Sequence, residues 1–417
     1  MLSVKNPIMT GFFPDPSICR VGNKFYTVHS TFAYFPGVPV FESEDLVHWN
    51  LISNVLDRDS QVPLSGCQHS QGIFAPTIRY HKGTWYMITT NVSDQGNFIV
   101  TAKDPRGPWS EPYYLGESTG GIDPSLFFDD DGTCYYIGQR PRSAGYRYNG
   151  DCEIWIQTLD LDTMQLKPDA TIVLTGFQRK AIWPEGPHLY KKDGYYYILH
   201  AESGTSIHHS VMIARSKNVF GPYEYCPCNP ILTHRHLGAQ YPVTCVGHAD
   251  LVDDGNGNWY MVVLACRPNQ GYTLLGRETF LAKVTWEDGW PVVNAGVGHL
   301  EEVVTLPYEG QPSDDALQCK TYTFDTPSLP PELLTLRNHR DHELELHAEE
   351  HIVRLFHRCD SLKDCGEPAY LALRQQHWNC EFETSFMPHF CKESDCAGIA
   401  MVQSNENHLR AECYPHD

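Results

Sequence analysis

Three carboxylates stand in closely similar settings along the chain: Asp15 in "FFPDPSI", Asp123 in "GGIDPSLFF" and Glu185 in "AIWPEGPHLY". Each lies next to a proline and is followed at once by apolar residues that begin a strand pattern. Singly, such an acid is an ordinary turn residue or a cap for backbone amides. Jointly, two acids flanking one bond, one protonated and one ionised, supply what glycoside hydrolysis needs: a proton for the leaving oxygen and an activated nucleophile at the anomeric carbon. A third acid nearby disfavours ionisation of its neighbour and so keeps the proton donor protonated. Asp15 and Glu185 are 170 residues apart, so the chemistry depends on a fold that makes distant strand starts converge.

An internal repeat supplies that fold. "DPSICRVGNKFYTVHS", "APTIRYHKGTWYMITT", "DPSLFFDDDGTCYYIG", "GPHLYKKDGYYYILHA" and "HADLVDDGNGNWYMVVL" each place an aliphatic residue fourth, then a polar turn with glycine, then an aromatic-rich alternating strand. This is a β-hairpin repeated five times. The starts fall 48 to 63 residues apart, which leaves room for two more strands per unit, and "VFESEDLVHWN", "IVTAKDPRGPWS" and "MIARSKNVFGPYE" supply matching later parts. Four strands in each of five units predict an all-β fold, a five-bladed β-propeller over residues 1–312. A sandwich array or β-helix gives no reason for that period. The first strand of a blade lies nearest the axis, so Asp15, Ala75, Asp123, Gly186 with Glu185 before it, and His248 are expected to meet at one end of the channel.

Composition agrees and narrows the partners. Hydrophobic residues make up 41% and aromatics 12% of the 417 residues, which suits strands. A formal charge of −20 repels polyanions, so nucleic acid is excluded as a partner. No stretch approaches the ~18 apolar residues of a membrane span, and "MLSVKNPIMTGFF" lacks the basic and apolar pattern of a signal peptide; a cytoplasmic protein is expected. Fifteen cysteines without a CxxC pair read as free thiols, although seven of them crowd the last 99 residues. Asn91-Val92-Ser93 forms a glycosylation sequon, which matters only in a secreted protein.

Beyond residue 310 the pattern changes. "YEGQPSDDALQ" reads as a linker, and "TYTFDTPSLPPELLTLRNH", "LELHAEEHIVRLFHR", "YLALRQQ", "CEFETSF" and "AGIAMVQ" read as strands of a second β domain, residues 313–417. Four or five strands are few for a β-sandwich, so an incomplete domain is expected, together with a more open pocket and a cleavable linker near residues 308–320. The acidic turns "DDDG" (129–132) and "DDGNGN" (253–258) lack the 12-residue ligand pattern of a calcium loop and read as hairpin turns.

The stretches "GFFPDPSI", "GIDPSLFFDDDG", "WPEGPHLYKKDGYYY", "GHADLVDDGNGNWY" and "STFAYFPGVPVFES" together resemble glycoside hydrolase family 43, in particular its β-xylosidase and α-L-arabinofuranosidase members with a C-terminal β-sandwich. The resemblance runs from residue 5 to about 310 and continues weakly beyond. It implies Asp15 as the base that activates water, Glu185 as the general acid, and Asp123 as the acid that tunes and orients Glu185. It further implies Arg277 as a contact to sugar hydroxyls, against a plain surface-strand arginine, and Phe32 and Phe74 as pocket walls, against plain core packing. Many relatives carry Trp where Phe74 stands, which leaves the preferred sugar open. His248 matches a histidine at the channel centre, either near a structural calcium or sodium ion or hydrogen-bonded to Asp15 or Asp123 without metal. No cofactor is required by the chemistry.

The expected activity is inverting, exo-acting release of terminal β-1,4-linked xylose from xylo-oligosaccharides or arabinoxylan fragments, as a monomer or homo-oligomer. The alternatives are an α-L-arabinofuranosidase or bifunctional enzyme, which needs only a differently shaped pocket, and a non-catalytic carbohydrate-binding propeller. Inversion requires carboxyl groups roughly 6.5 to 9.5 Å apart, leaving space for a water beneath the sugar.

Overall fold

The computed structural model describes residues 1–116, 120–311, 319–338 and 344–415. Five antiparallel sheets follow one another along the chain, each built on one of the five predicted hairpins. Blade I comprises Ser17–Val21, Lys24–Val28, Gly37–Ser43 and Asn50–Leu56. Blade II comprises Thr77–His81, Thr84–Asn91, Gly96–Ala102 and Tyr113–Tyr114. In blade III, Ile122–Phe128, Cys134–Pro141 and Cys152–Asp160 are flanked by Gln165–Leu166 and Thr171–Thr175, which share the third strand's outer edge. Blade IV comprises Glu185–Lys192, Tyr195–Glu202, Ser210–Ser216 and Glu224–Tyr225. Blade V comprises Thr244–Asp253, Trp259–Cys266, Glu278–Glu287 and Trp290–Val293. Among the described residues, no helix is long and apolar enough to cross a membrane.

The core is divided as the blades are. Five apolar clusters lie one at each junction between neighbouring blades: Tyr26, Val40 and Trp85 join I to II, Ile88, Leu126 and Trp155 join II to III, and Ile154, Leu189 and Ile198 join III to IV. Leu199, Ile213, Met261 and Val263 join IV to V. Both faces of each blade are therefore buried, which explains inner strands that read as nearly continuous apolar and aromatic runs. The ring is closed by an element that local patterning does not show. Leu2–Lys5 pairs antiparallel with Val303–Leu306, and Leu2 and Val4 pack among Ile18, Phe25, Val262 and Leu281 at the V–I junction. Full burial of a leucine such as Leu2 contributes about 1.5–3 kcal/mol, so this clasp holds the first and last blades together.

The C-terminal residues differ from expectation in detail. "LELHAEEHIVRLFHR" forms the hairpin Leu344–His347 with Ile352–Leu355, and "AGIAMVQ" forms Ala397–Val402 against His408–Cys413. The long stretch from Thr321 gives only Thr335–Leu336, which pairs with Tyr34–Phe35 of the propeller. Tyr370–Gln376 contributes one bridge, Leu334 to Ala372, and Cys380–Phe386 forms no strand. Alternation marks a face that could be buried but does not provide the neighbouring strand, and Phe382 and Phe386 are 55% and 48% exposed. The expected boundary at residues 312/313, and residues 312–318 of the linker, lie outside the described residues. All fifteen cysteines are free thiols.

Candidate active site

The starts of the inner strands share an uncommon backbone. Asp15, Asp123, Gly186 and His248 have φ of 53°, 56°, 57° and 52°, and Phe32 beside them has 52°. This left-handed region costs non-glycine residues roughly 1–2 kcal/mol each and is tolerated best by Asp and Asn. In blades III, IV and V the cause is visible: the register to the second strand slips between Ile122 and Ser125, between Glu185 and His188, and between Gly247 and Ala249. A bulge at each start turns the side chain from the sheet face toward the axis. At Gly186 a side chain is also sterically barred, since a Cβ there would lie 2.9 Å from the His248 ring.

Asp15, Asp123, Glu185, His248 and Arg277 thereby meet at one end of the channel. Asp15 accepts hydrogen bonds from Ser30 Oγ at 2.7 Å and Arg277 Nη1 at 2.8 Å, and His248 Nδ1 lies 3.9 Å from its Oδ1. Burial pushes its carboxyl up, but Arg277, His248 and the Ser30 hydroxyl outweigh that and hold it below the usual range. Among the described residues Asp123 accepts one bond, from Gly186 N at 3.0 Å; burial, opposed by His248 and reinforced by Asp15, raises it to about 6. Glu185 accepts no hydrogen bond from any described residue. Burial first, then the nearby Asp123 and Asp15, raise its pKa well above the usual value. The two carboxyls are thus pushed in opposite directions, Asp15 toward the ionised form and Glu185 toward the protonated one.

Aromatic rings wall this mouth. Phe12 stacks on Phe32 at 5.6 Å, Phe74 meets Phe32 edge-on at 5.3 Å, and Arg277 lies 5.2 Å over Phe32. Beside Asp123 and Glu185 a cavity of about 690 Å³ opens between blades II and III, lined in part by Asn91, Ile122, Gln139, Tyr146 and Trp183. Gln139 is 5% exposed, and its Oε1 has no hydrogen-bond partner among the described residues. The C-terminal residues reach this end of the propeller. Arg374 sits 4.9 Å over Phe13, and a Cβ on Gly11 would lie 2.6 Å from Gln375 O.

Each sequence-predicted site residue is placed at the mouth, with His248 facing Asp15 at ion-pair rather than hydrogen-bond distance. Ser30, Phe12 and Gln139 were missed. Ser30 follows the hairpin strand of blade I and Phe12 precedes Asp15 by three, so proximity to Asp15 was their only available signal; nothing in the sequence marks Gln139. No three His, Cys, Asp or Glu side chains converge as metal ligands among the described residues. No chemical step is routed through an ion beside His248.

A channel mouth with one carboxyl biased toward ionisation and one toward protonation, an aromatic wall and a guanidinium is that of a propeller glycosidase. Residues 4–291 match the family model "Glycosyl hydrolases family 43", and residues 321–416 match "Beta xylosidase C-terminal Concanavalin A-like domain". A "Xylosidase/arabinosidase" of Butyrivibrio fibrisolvens is 55% identical over 413 residues, covering 98% of this chain and 79% of its own length. A "Non-reducing end alpha-L-arabinofuranosidase" of Bacteroides ovatus is 40% identical, covering 97% and 74%. Among solved structures, a xylan β-1,4-xylosidase of Bacillus halodurans superposes with a TM-score of 0.86 at 36% identity, over 98% of this chain and 79% of that one. The chain belongs to glycoside hydrolase family 43: a five-bladed propeller followed by a concanavalin-like C-terminal domain.

Proposed function

We propose that the protein removes terminal β-1,4-linked xylose from xylo-oligosaccharides by single displacement. The observation that carries this is the asymmetry of two buried carboxyls at one mouth: Arg277 and Ser30 favour the ionised form of Asp15, while Glu185 lies beside two acids and accepts no hydrogen bond from any described residue. Asp15 takes a proton from water as its oxygen attacks the anomeric carbon, Glu185 gives its proton to the leaving oxygen, and Asp123 keeps Glu185 protonated until then. Arg277 and the Phe12, Phe32 and Phe74 wall hold the terminal sugar, and the cavity with Gln139 accepts the leaving part of the chain. The relatives' names support a pentose substrate, and the arabinofuranosidase among them keeps a second reading in view, release of α-L-arabinofuranose. A non-catalytic binding propeller is disfavoured because it has no use for a carboxyl whose burial beside other acids is destabilising.

Aryl β-D-xylopyranoside and aryl α-L-arabinofuranoside separate these readings by release rate, with the xyloside expected to be faster. Proton NMR of the first turnovers should show α-xylose before mutarotation. Initial β-xylose, or a glycosyl ester trapped on Asp15, would overturn single displacement and the role given to Asp15.

A further inference from the structure

Beneath the mouth lies a second polar layer that the reaction does not touch. Two to four residues along the inner strands, Ser17, Arg79, Ser125, His188 with Tyr190, and Asp250 come from blades I to V in turn. Asp250, at 0% exposure, is the hub. Its Oδ2 accepts from Ser17 Oγ at 2.8 Å and from Ile18 N and Arg79 Nη1 at 3.0 Å; its Oδ1 accepts from the Tyr190 hydroxyl and from Leu251 N. Arg79 Nη2 reaches His188 Nδ1 at 3.1 Å, and Ser125 Oγ lies 3.0 Å from the same nitrogen, which joins blade III.

We infer that Asp250 is a positioning residue for the catalytic acids: with Arg79 it locks all five inner strands together one layer below Asp15, Asp123 and Glu185, and it keeps that layer neutral in charge. The inference rests on the acid pair assigned above. Left-handed residues persist only where their surroundings over-determine them, and Asp250 follows the left-handed His248 by two residues along its strand just as Ser17 follows the left-handed Asp15. Two residues along a strand span about 7 Å, so an unbalanced charge in this buried layer acts strongly on the mouth. Asp250 is faced by Arg79 from blade II, His188 and Tyr190 from blade IV and Cys19 from blade I. The acids are faced by Arg277, His248, His209 and one another, with Cys152 on the Glu185 side.

The test is the pH profile of kcat/KM on an aryl pentoside, using the full chain. The wild-type profile, with its two limbs, tests the acid pair before any variant is made. Asp250→Asn leaves Arg79 unbalanced, so both limbs should move together to lower pH by about one unit while kcat falls. Asp250→Asn with Arg79→Gln should return the limbs to their wild-type positions with kcat still low. Tyr190→Phe removes a donor without changing charge and should lower kcat about fivefold or more, with KM and both limbs in place. Limbs that stay put in Asp250→Asn would overturn the inference, as would limbs that fail to return in the double variant. Should Asp250→Asn not fold, Tyr190→Phe and Ser17→Ala decide, and wild-type kcat in both would overturn it.

Discussion

Asp250 in the lower polar layer of the channel and Asp123 and Glu185 in the upper one are buried carboxyls whose pKa values are pushed in opposite directions. Asp250 is driven down to about 2: its burial is outweighed by Arg79, His188, the Tyr190 hydroxyl and the Ile18 amide. One layer up, Asp123 is raised to about 6 with one backbone donor among the described residues, and Glu185 is raised well above its usual value with none among them. Depth does not separate them. The supply of donors and counter-charge does, and among the described residues of the mouth the donors fall from two at Asp15 to one at Asp123 and none at Glu185. A buried acid without partners is costly wherever it stands, and here it is placed where a proton must be given away.

The largest way to break this contrast is to remove the base. Asp15→Asn should lower turnover about a thousandfold or more with every leaving group, because the attacking water then has no acceptor. Glu185→Gln should cost about 10²–10⁴-fold on alkyl or sugar leaving groups and far less on activated aryl ones, which barely need protonation. Equal losses for both variants across all leaving groups would show that the two acids do not divide the work as assigned.

A smaller effect sharpens the comparison from the side of the counter-charge. Arg277 is the foremost group opposing the effect of burial on Asp15, and it also faces the sugar wall. Arg277→Ala should lower kcat/KM roughly ten- to a hundredfold. Since Asp15 loses its chief stabilising charge, its pKa rises, and the acidic limb of the profile should move to higher pH. An unmoved limb with weakened binding would leave Arg277 as a sugar contact alone.

The ring and the acids were legible because both are local. An aliphatic residue, a glycine turn and an aromatic strand identify each hairpin, and a repeat of hairpins determines where the starts converge. The clasp of Leu2–Lys5 on Val303–Leu306 was not legible, since a pairing across some 300 residues leaves no periodic trace. The bulges were missed for a related reason: a slipped register is a relation between two strands, and "IDPS", "EGPH" and "GHAD" each look like an ordinary strand entry. The lower layer could have been read. Position three of four of the five aligned hairpins is Ser17, Ser125, His188 and Asp250, polar residues where a core position is expected. In the C-terminal domain alternation over-predicted strands, because Tyr370–Gln376 and Cys380–Phe386 have the pattern without a ladder to join.

The smallest expected effect concerns stability and has the opposite sign from the losses of activity. Glu185 has a folded-state pKa above its unfolded value, so the folded protein binds that proton more tightly than the unfolded chain. Below about 4.3, the ordinary glutamate value, both states are protonated and the residue behaves as a neutral amide would. As pH rises past that value, the unfolded chain ionises freely while the folded one resists, and wild-type stability falls relative to a neutral isostere until pH passes the folded pKa. Glu185→Gln removes this penalty together with the repulsion from Asp123 and Asp15. The variant should therefore melt a few degrees above wild type at pH 7 and at the same temperature near pH 4, as read by calorimetry at both values. The same substitution at the lower layer reverses the outcome. Asp250 has a depressed pKa, so its stabilisation is present above about 3.9 and lost as pH falls toward about 2; Asp250→Asn should melt lower at pH 7. A Glu185→Gln variant that is less stable than wild type at pH 7 would mean that the carboxyl is satisfied in the folded state, and the contrast between the two layers would fail at its upper member.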